Sequence, residues 1–190
     1  MFSAFIRLCR YRLVCSFLAF LISSLLLISP SSASNEYPLK AAFIFNLMRM
    51  VEWPQEQTQT AEQPLNLCVL GNNSFGDAFE AIRDKQVRGH PIRVAFYAYP
   101  PAQTQLACHV LFIDRSETAH LTELLRLLQA YPVLTVSDIE AFAERGGMVN
   151  LATGDDQRVR LEINRQVAQQ AGVNISARLL ALAKLVDTLE

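Results

Sequence analysis

Four short apolar runs, separated by helical or turn-rich chain, constrain this fold more than any other feature of the sequence. They are Leu65-Asn66-Leu67-Cys68-Val69-Leu70, Ile92 to Ala98, His109-Val110-Leu111-Phe112-Ile113 and Val133-Leu134-Thr135-Val136. Strands that are apolar almost throughout belong to parallel sheets covered on both faces. Their alternation with helical patterns predicts the α/β class, as a single domain with a largely parallel sheet flanked by helices.

The helical segments have recognisable starts and stops. Tyr37 to Val51 is apolar nearly all round, with Asn46, Arg49 and Glu52 as its one polar stripe, which predicts a mostly buried helix. Trp53-Pro54 ends it, because proline restricts its predecessor and cannot continue the hydrogen-bond ladder. Ser74 is placed to cap a helix with Phe75, Ala78, Phe79 and Ile82 at i, i+3, i+4 and i+7 spacing. Ser116 opens another, with Leu121, Leu124, Leu125 and Leu128 as its apolar face. Ser137-Asp138-Ile139-Glu140 has the spacing of a capping box, predicting a short helix that stops at Gly146-Gly147.

The pattern changes after Gly147. Met148 to Ala152 and Gln157 to Ile163 flank Thr153-Gly154-Asp155-Asp156, and Val159, Leu161 and Ile163 alternate strictly with Arg158, Arg160 and Glu162. Alternation means one buried and one wet face, so a C-terminal antiparallel β-hairpin is expected at an edge of the sheet. Asn164 then caps a short helix ending at Gly172, and Ser176 to Leu189 reads as a final amphipathic helix.

The first 34 residues are of another kind. Arg7, Arg10 and Arg12 precede an apolar run from Leu13 to Ile28, and Pro30-Ser31-Ser32-Ala33-Ser34 follows as a small-residue exit. A basic start, an apolar centre and such an exit predict a secretory signal peptide over 1–34, a working domain over 35–190 and a periplasmic destination. Loss of three arginines takes the formal charge from −1 to −4. Mild acidity argues against nucleic-acid binding, which needs a concentrated basic face. The polar stretch from Gln55 to Gln63 reads as a solvated loop.

Cys9 and Cys15 leave with the leader, whereas Cys68 and Cys108 remain on apolar runs. An oxidising compartment favours a bond between them, and two buried thiols on separate strands is the alternative. Nothing resembles a Cys-x-x-Cys redox pair.

The sequence holds no recognisable catalytic or metal-binding constellation. His90, His109 and His120 sit at no metal-ligand spacing, so no metal and no cofactor are expected. No Gly-x-Ser-x-Gly elbow is present, and the chain reads as a non-enzyme. Asp114 follows an apolar strand as the acceptor aspartate of receiver domains does, but without their acidic pair and lysine, which makes it a cap or turn. Gly71, Asn72 and Ser74, between a strand and a helix, form a candidate ligand-binding loop whose amides suit an anion. Arg158, Arg160 and Glu162, with Arg178 on the last helix, form a candidate partner-binding face, since sheet edges accept partners. The alternative for that face is a solvated edge that discourages strand pairing.

Several phrases, in order, resemble the YfiR-like periplasmic repressors. They are Leu39-Lys40-Ala41-Ala42-Phe43-Ile44-Phe45-Asn46 with Val51-Glu52-Trp53-Pro54, Cys68-Val69-Leu70-Gly71, Cys108-His109-Val110-Leu111-Phe112-Ile113, and Gly146-Gly147-Met148-Val149-Asn150-Leu151. Val159-Arg160-Leu161-Glu162-Ile163-Asn164 and Ala171 to Leu180 complete the set. The resemblance implies a small α/β regulator that binds the periplasmic domain of an inner-membrane diguanylate cyclase and represses it, lowering cyclic di-GMP and biofilm formation. It also implies release through an OmpA-like outer-membrane lipoprotein, a homodimer, and a core disulfide between Cys68 and Cys108. Some members carry a second cysteine pair nearer the C-terminus. This chain has no cysteine after Cys108, so redox sensing through that pair does not transfer. A periplasmic small-molecule sensor using the Gly71 loop is the rival reading.

Overall fold

The computed structural model describes residues 36–54, 60, 62–83, 85–101, 107–156 and 158–189. Residues 1–34, read from the sequence as a signal peptide, and most of the polar loop read from Gln55 to Gln63 lie outside the described residues.

Helix α1 (Glu36–Met50) opens the domain, followed by β1 (Val51–Glu52), β2 (Leu65–Leu70), α2 (Glu80–Arg83), β3 (Gln86–Val87) and β4 (His90–Tyr97). Next come β5 (Val110–Ile113), a 3-10 turn over Arg115–His120, α3 (Leu121–Leu128) and β6 (Leu134–Ser137). The last third holds β7 (Val149–Thr153), β8 (Val159–Ile163), α4 (Arg165–Gln170), β9 (Asn174–Ile175), α5 (Ala177–Leu180) and β10 (Lys184–Leu185).

The main sheet runs β3-β4-β2-β5-β6-β7-β8-β10. Its centre, β4-β2-β5-β6-β7, is parallel throughout. The expected hairpin is present, with β7 and β8 antiparallel over five residue pairs from Val149↔Ile163 to Thr153↔Val159. At the far margin β3 and β4 form a second, tighter hairpin around Arg88-Gly89, where both turn residues have positive φ, 51° and 88°. β1 and β9 form a separate two-stranded ladder.

The central strands β2 and β5 are apolar on both sides because both faces carry a core there. One core gathers Leu67, Val69, Val110, Phe112, Leu134, Val136, Val149 and Leu151 against Ala41, Ile44, Leu47 and Met48 of α1. The other sets Leu70, Leu111 and Ile113 against Leu121, Leu124, Leu125 and Leu128 of α3. Cys68 and Cys108 form a disulfide, Cα to Cα 6.0 Å.

Several expectations are corrected. The amphipathic helix expected over Ser176–Leu189 stops after Leu180, and Lys184–Leu185 pair with Glu162 and Ile163 of β8 instead. The backbone of β8 offers ladder bonds there, and Val186 N–H continues them onto the Ile163 carbonyl at 3.0 Å. β8 is therefore not the outermost strand along its whole length.

The capping box at Ser137 and Glu140 does not form. The Ser137 hydroxyl donates to the Ile113 carbonyl (2.7 Å) and accepts from Ile139 N–H (3.0 Å), so 139–146 is a chain of turns. Asp114, not Ser116, caps the segment leading into α3, its carboxylate accepting from Ser116 N–H at 2.9 Å. The helix expected from Ser74 is a series of turns that becomes helical only at Glu80, yet Phe75, Phe79 and Ile82 are buried as their spacing requires. His90 lies within β4, not in a turn, and donates from Nδ1 to the Gln63 carbonyl at 3.0 Å.

Candidate functional site

The alternation along β8 sorts its side chains onto two faces, and a different concavity lies on each. Val159 and Leu161 pack toward the α1 core. There the floor of a groove of about 540 Å³ is built from them together with Phe43, Leu47 and Met50 of α1 and Leu179 of α5. β10 and β8 are in register only at Glu162 and Ile163. Toward Val159 they part, and Leu182 forms the outer lip of the resulting fork. Leu182 is 71 % exposed, and Leu185 and Leu39 are also exposed. Isolated exposed leucines are ordinary, whereas an apolar groove with an apolar lip is a candidate interaction surface.

The predicted partner-binding residues divide into separate groups. Arg160 grips Asp156 with two parallel bonds, Nη1 to Oδ1 at 3.0 Å and Nη2 to Oδ2 at 2.7 Å. Arg158 adds its backbone N–H to Asp156 at 3.2 Å. The Arg160 guanidinium holds the Asp156 carboxyl below its usual range, and the carboxylate raises Arg160 in return. Glu162 stands apart, accepting from Lys184 Nζ (2.9 Å) and Asn150 Nδ2 (3.2 Å). That hydrogen bond from Lys184 to Glu162 raises the lysine's pKa. Arg178 is exposed on α5, next in sequence to Leu179 of the groove, and joins neither group.

The predicted ligand loop is occupied by the chain itself. The five parallel strands change winding direction between β2 and β5, the place where doubly wound sheets hold ligands. Gly71, at φ +106°, sits there so tightly that a Cβ would lie 2.6 Å from Ser116 Oγ and 3.0 Å from Asp114 Cβ. Asn72 N–H donates to Ser116 Oγ (3.0 Å), Gly71 N–H to the Tyr97 carbonyl (2.9 Å) and Ser74 N–H to the Asn72 carbonyl (2.8 Å). The amides of Gly71, Asn72 and Ser74 are thus all engaged within the protein.

A second concavity, about 890 Å³, opens at the carboxyl ends of β5 and β6 and along β7, and it is polar. Behind it lies an ion network that sequence reasoning missed. Lys40 is completely buried in α1 and its Nζ lies 2.5 Å from both Glu36 Oε1 and Asp138 Oδ2. Arg115 joins through Nε to Asp138 at 3.0 Å, and Thr153 donates its hydroxyl to Glu36 at 3.0 Å. The signal was available: Lys40 is a lysine inside a helix that is apolar nearly all round. A buried ammonium requires a carboxylate partner.

Among the described residues no group of three or more His, Cys, Asp or Glu side chains is arranged to hold a metal ion, and no helix is long and apolar enough to cross a membrane. A family model described as YfiR/HmsC-like matches residues 37–184, which takes in Lys40, Arg115 and Asp138 of the ion network, the disulfide, the hairpin and β10 up to Lys184. The match spans both concavities and the strands between them, and this chain belongs to the YfiR/HmsC-like family.

Proposed function

We propose that the chain is a periplasmic regulator that binds the periplasmic domain of an inner-membrane diguanylate cyclase and holds it inactive, lowering cyclic di-GMP and biofilm formation. Family membership supports the regulatory class. The observation that carries the reading is the apolar groove in the fork between β8 and β10, with Leu182 as its exposed lip. Arg160 and Lys184 line its rim, each already paired with a carboxylate, Asp156 and Glu162, so the margin is charged but locally balanced.

Repression of this kind is differential binding. The regulator inhibits only if it binds the inactive cyclase more tightly than the active one. Turning a two-state partner from mostly on to mostly off takes about 5 kcal/mol of such difference. A groove that buries a few apolar side chains, with charged residues at its margin, is of the right order for that task. An OmpA-like outer-membrane lipoprotein competing for the same face would release the cyclase, and a homodimer would present two such faces.

The test uses the mature protein with the full-length cyclase in lipid nanodiscs, reading cyclic di-GMP output and co-purification together. Leu182→Asp is expected to abolish both repression and capture while leaving the thermal midpoint unchanged, because Leu182 is exposed. Glu162→Arg, which replaces the Lys184 ion pair by a like-charge contact, is expected to weaken both. Full repression by both variants would end the reading. Light scattering at micromolar concentration measures the oligomer, and a mass of one chain would refute the dimer.

A further inference from the structure

One rung of the sheet changes chemistry halfway across. Tyr97, Leu70, Ile113, Ser137, Asn150, Glu162 and Lys184 are paired in register from β4 to β10, and so project from one face. Leu70 and Ile113 belong to the core under α3. From Ser137 onward the rung is polar, and residues of the turn segment 139–146 form the opposite wall of the 890 Å³ cavity. Size alone places this cavity among those that hold small organic ligands.

The wall contains a buried polar atom without a partner. Asn150 is 1 % exposed, and its Nδ2 donates to Glu162 Oε2. A carboxylate only accepts, so this bond fixes the amide's orientation. The Asn150 carbonyl oxygen is left buried with no hydrogen-bond donor among the described residues. Such an acceptor is costly unless an N–H or O–H donor serves it. Elsewhere on the wall Arg115 spends Nε on Asp138 and retains further donors, and Arg145 is exposed.

We propose that this cavity binds a small zwitterionic solute, its primary ammonium held by Asn150 and Glu162 and its carboxylate by Arg115 and Arg145. A simple anion would meet Asp138 and Glu162 as well as the arginines, and a simple cation would meet Arg115 and Lys184. A molecule carrying both charges satisfies both sets. The pair of charges is shared by free amino acids and by short peptides, and the experiment separates them. The inference is independent of the cyclase reading, since it concerns binding to this chain alone.

Calorimetric titration of the mature, oxidised protein would be run with each common L-amino acid and with the dipeptides Gly-Gly and Ala-Gln. Binding is expected from one of the two groups, which identifies the source. The N-acetylated form of whichever binds, lacking the ammonium, is expected to bind at least tenfold more weakly. Asn150→Ala is expected to reduce affinity at least tenfold, and the exposed Arg145→Ala several-fold with an unchanged thermal midpoint. Absence of heat from every probe at millimolar concentration would overturn the proposal. Equal binding of the N-acetylated form, or unaltered affinity in both variants, would do the same.

Discussion

Lys40 and Asp138, 98 residues apart in the chain, meet in a buried ion pair with Nζ 2.5 Å from Oδ2. Both side chains are essentially inaccessible, at 0 % and 1 % exposure. The pair fastens α1 to the carboxyl end of β6, beneath the polar cavity. Removing one partner from a buried pair leaves the other charge unmatched, which typically costs about 3–5 kcal/mol. Asp138→Asn leaves the buried Lys40 with Glu36 as its one carboxylate, and Lys40→Met leaves the buried Asp138 with only the half-exposed Arg115. Each is expected to lower unfolding stability by about 3 kcal/mol in urea titration. The double variant removes both buried charges and should cost less than the two single losses added together; simple additivity would show that packing, not charge, governs this site.

Glu36 gives the network a pH signature. The hydrogen bond from Lys40 holds its carboxyl below the ordinary value of 4.5, with help from Thr153 and Arg115 against the opposing effect of burial. A carboxyl lowered in the folded state contributes stability that is present above the unfolded pKa and is lost as pH falls through the folded one. Stability should thus decline below about pH 4.5, and Glu36→Gln should flatten that decline while lowering stability at pH 7. Identical pH slopes for the two proteins, measured by chemical denaturation from pH 3 to 7, would contradict the assignment.

The Cys68–Cys108 bond has a sequence separation of 40 residues. In the chain-entropy model a closed loop of that length contributes about 4 kcal/mol. For a domain of this size, that corresponds to a loss of roughly 8–16 °C in thermal midpoint on reduction. Differential scanning calorimetry with and without reductant checks this, with the Cys68→Ala, Cys108→Ala double variant as the control that should not respond.

Gly71→Ala is expected to be destabilising by more than about 1 kcal/mol, since it combines a positive φ with a backbone held against Ser116 and Asp114. Ser116→Ala removes the nearest atom and should recover part, not all, of the loss, because the strain of φ +106° remains. Full recovery would mean that crowding alone forbids a side chain there.

The central architecture was legible because β2 and β5 are apolar almost throughout, a pattern few other environments produce. The hairpin was equally plain from the alternation of Val159, Leu161 and Ile163 with Arg160 and Glu162. The end of the chain was misread for a physical reason. Leu179, Leu182, Leu185 and Leu189 have near-helical spacing, and only the unpaired edge of β8, a nonlocal feature, decides that Lys184 and Leu185 extend as a strand. Ser137 shows the same limit: local spacing promised a capping box, whereas the carbonyl of Ile113 on a neighbouring strand claimed the hydroxyl. Of the site, the sequence showed the charged face of β8 but not its partners. Lys184 and Asn150 meet Glu162 only through strand register, and the apolar groove exists only once α1, β8 and α5 are assembled.

The sheet's two margins are held in unequal ways. β3 and β4 fall inside the loop that the disulfide closes, so that side of the molecule is stitched by covalent chemistry. The opposite side ends in a strand of two residues joined to β8. Thermal agitation will unzip the chain from that side first, and amide exchange should therefore spread inward from Lys184 long before it reaches Cys68. The proposed recognition surface, placed on that loosest hem, would remould itself to a visitor without disturbing the weave behind it.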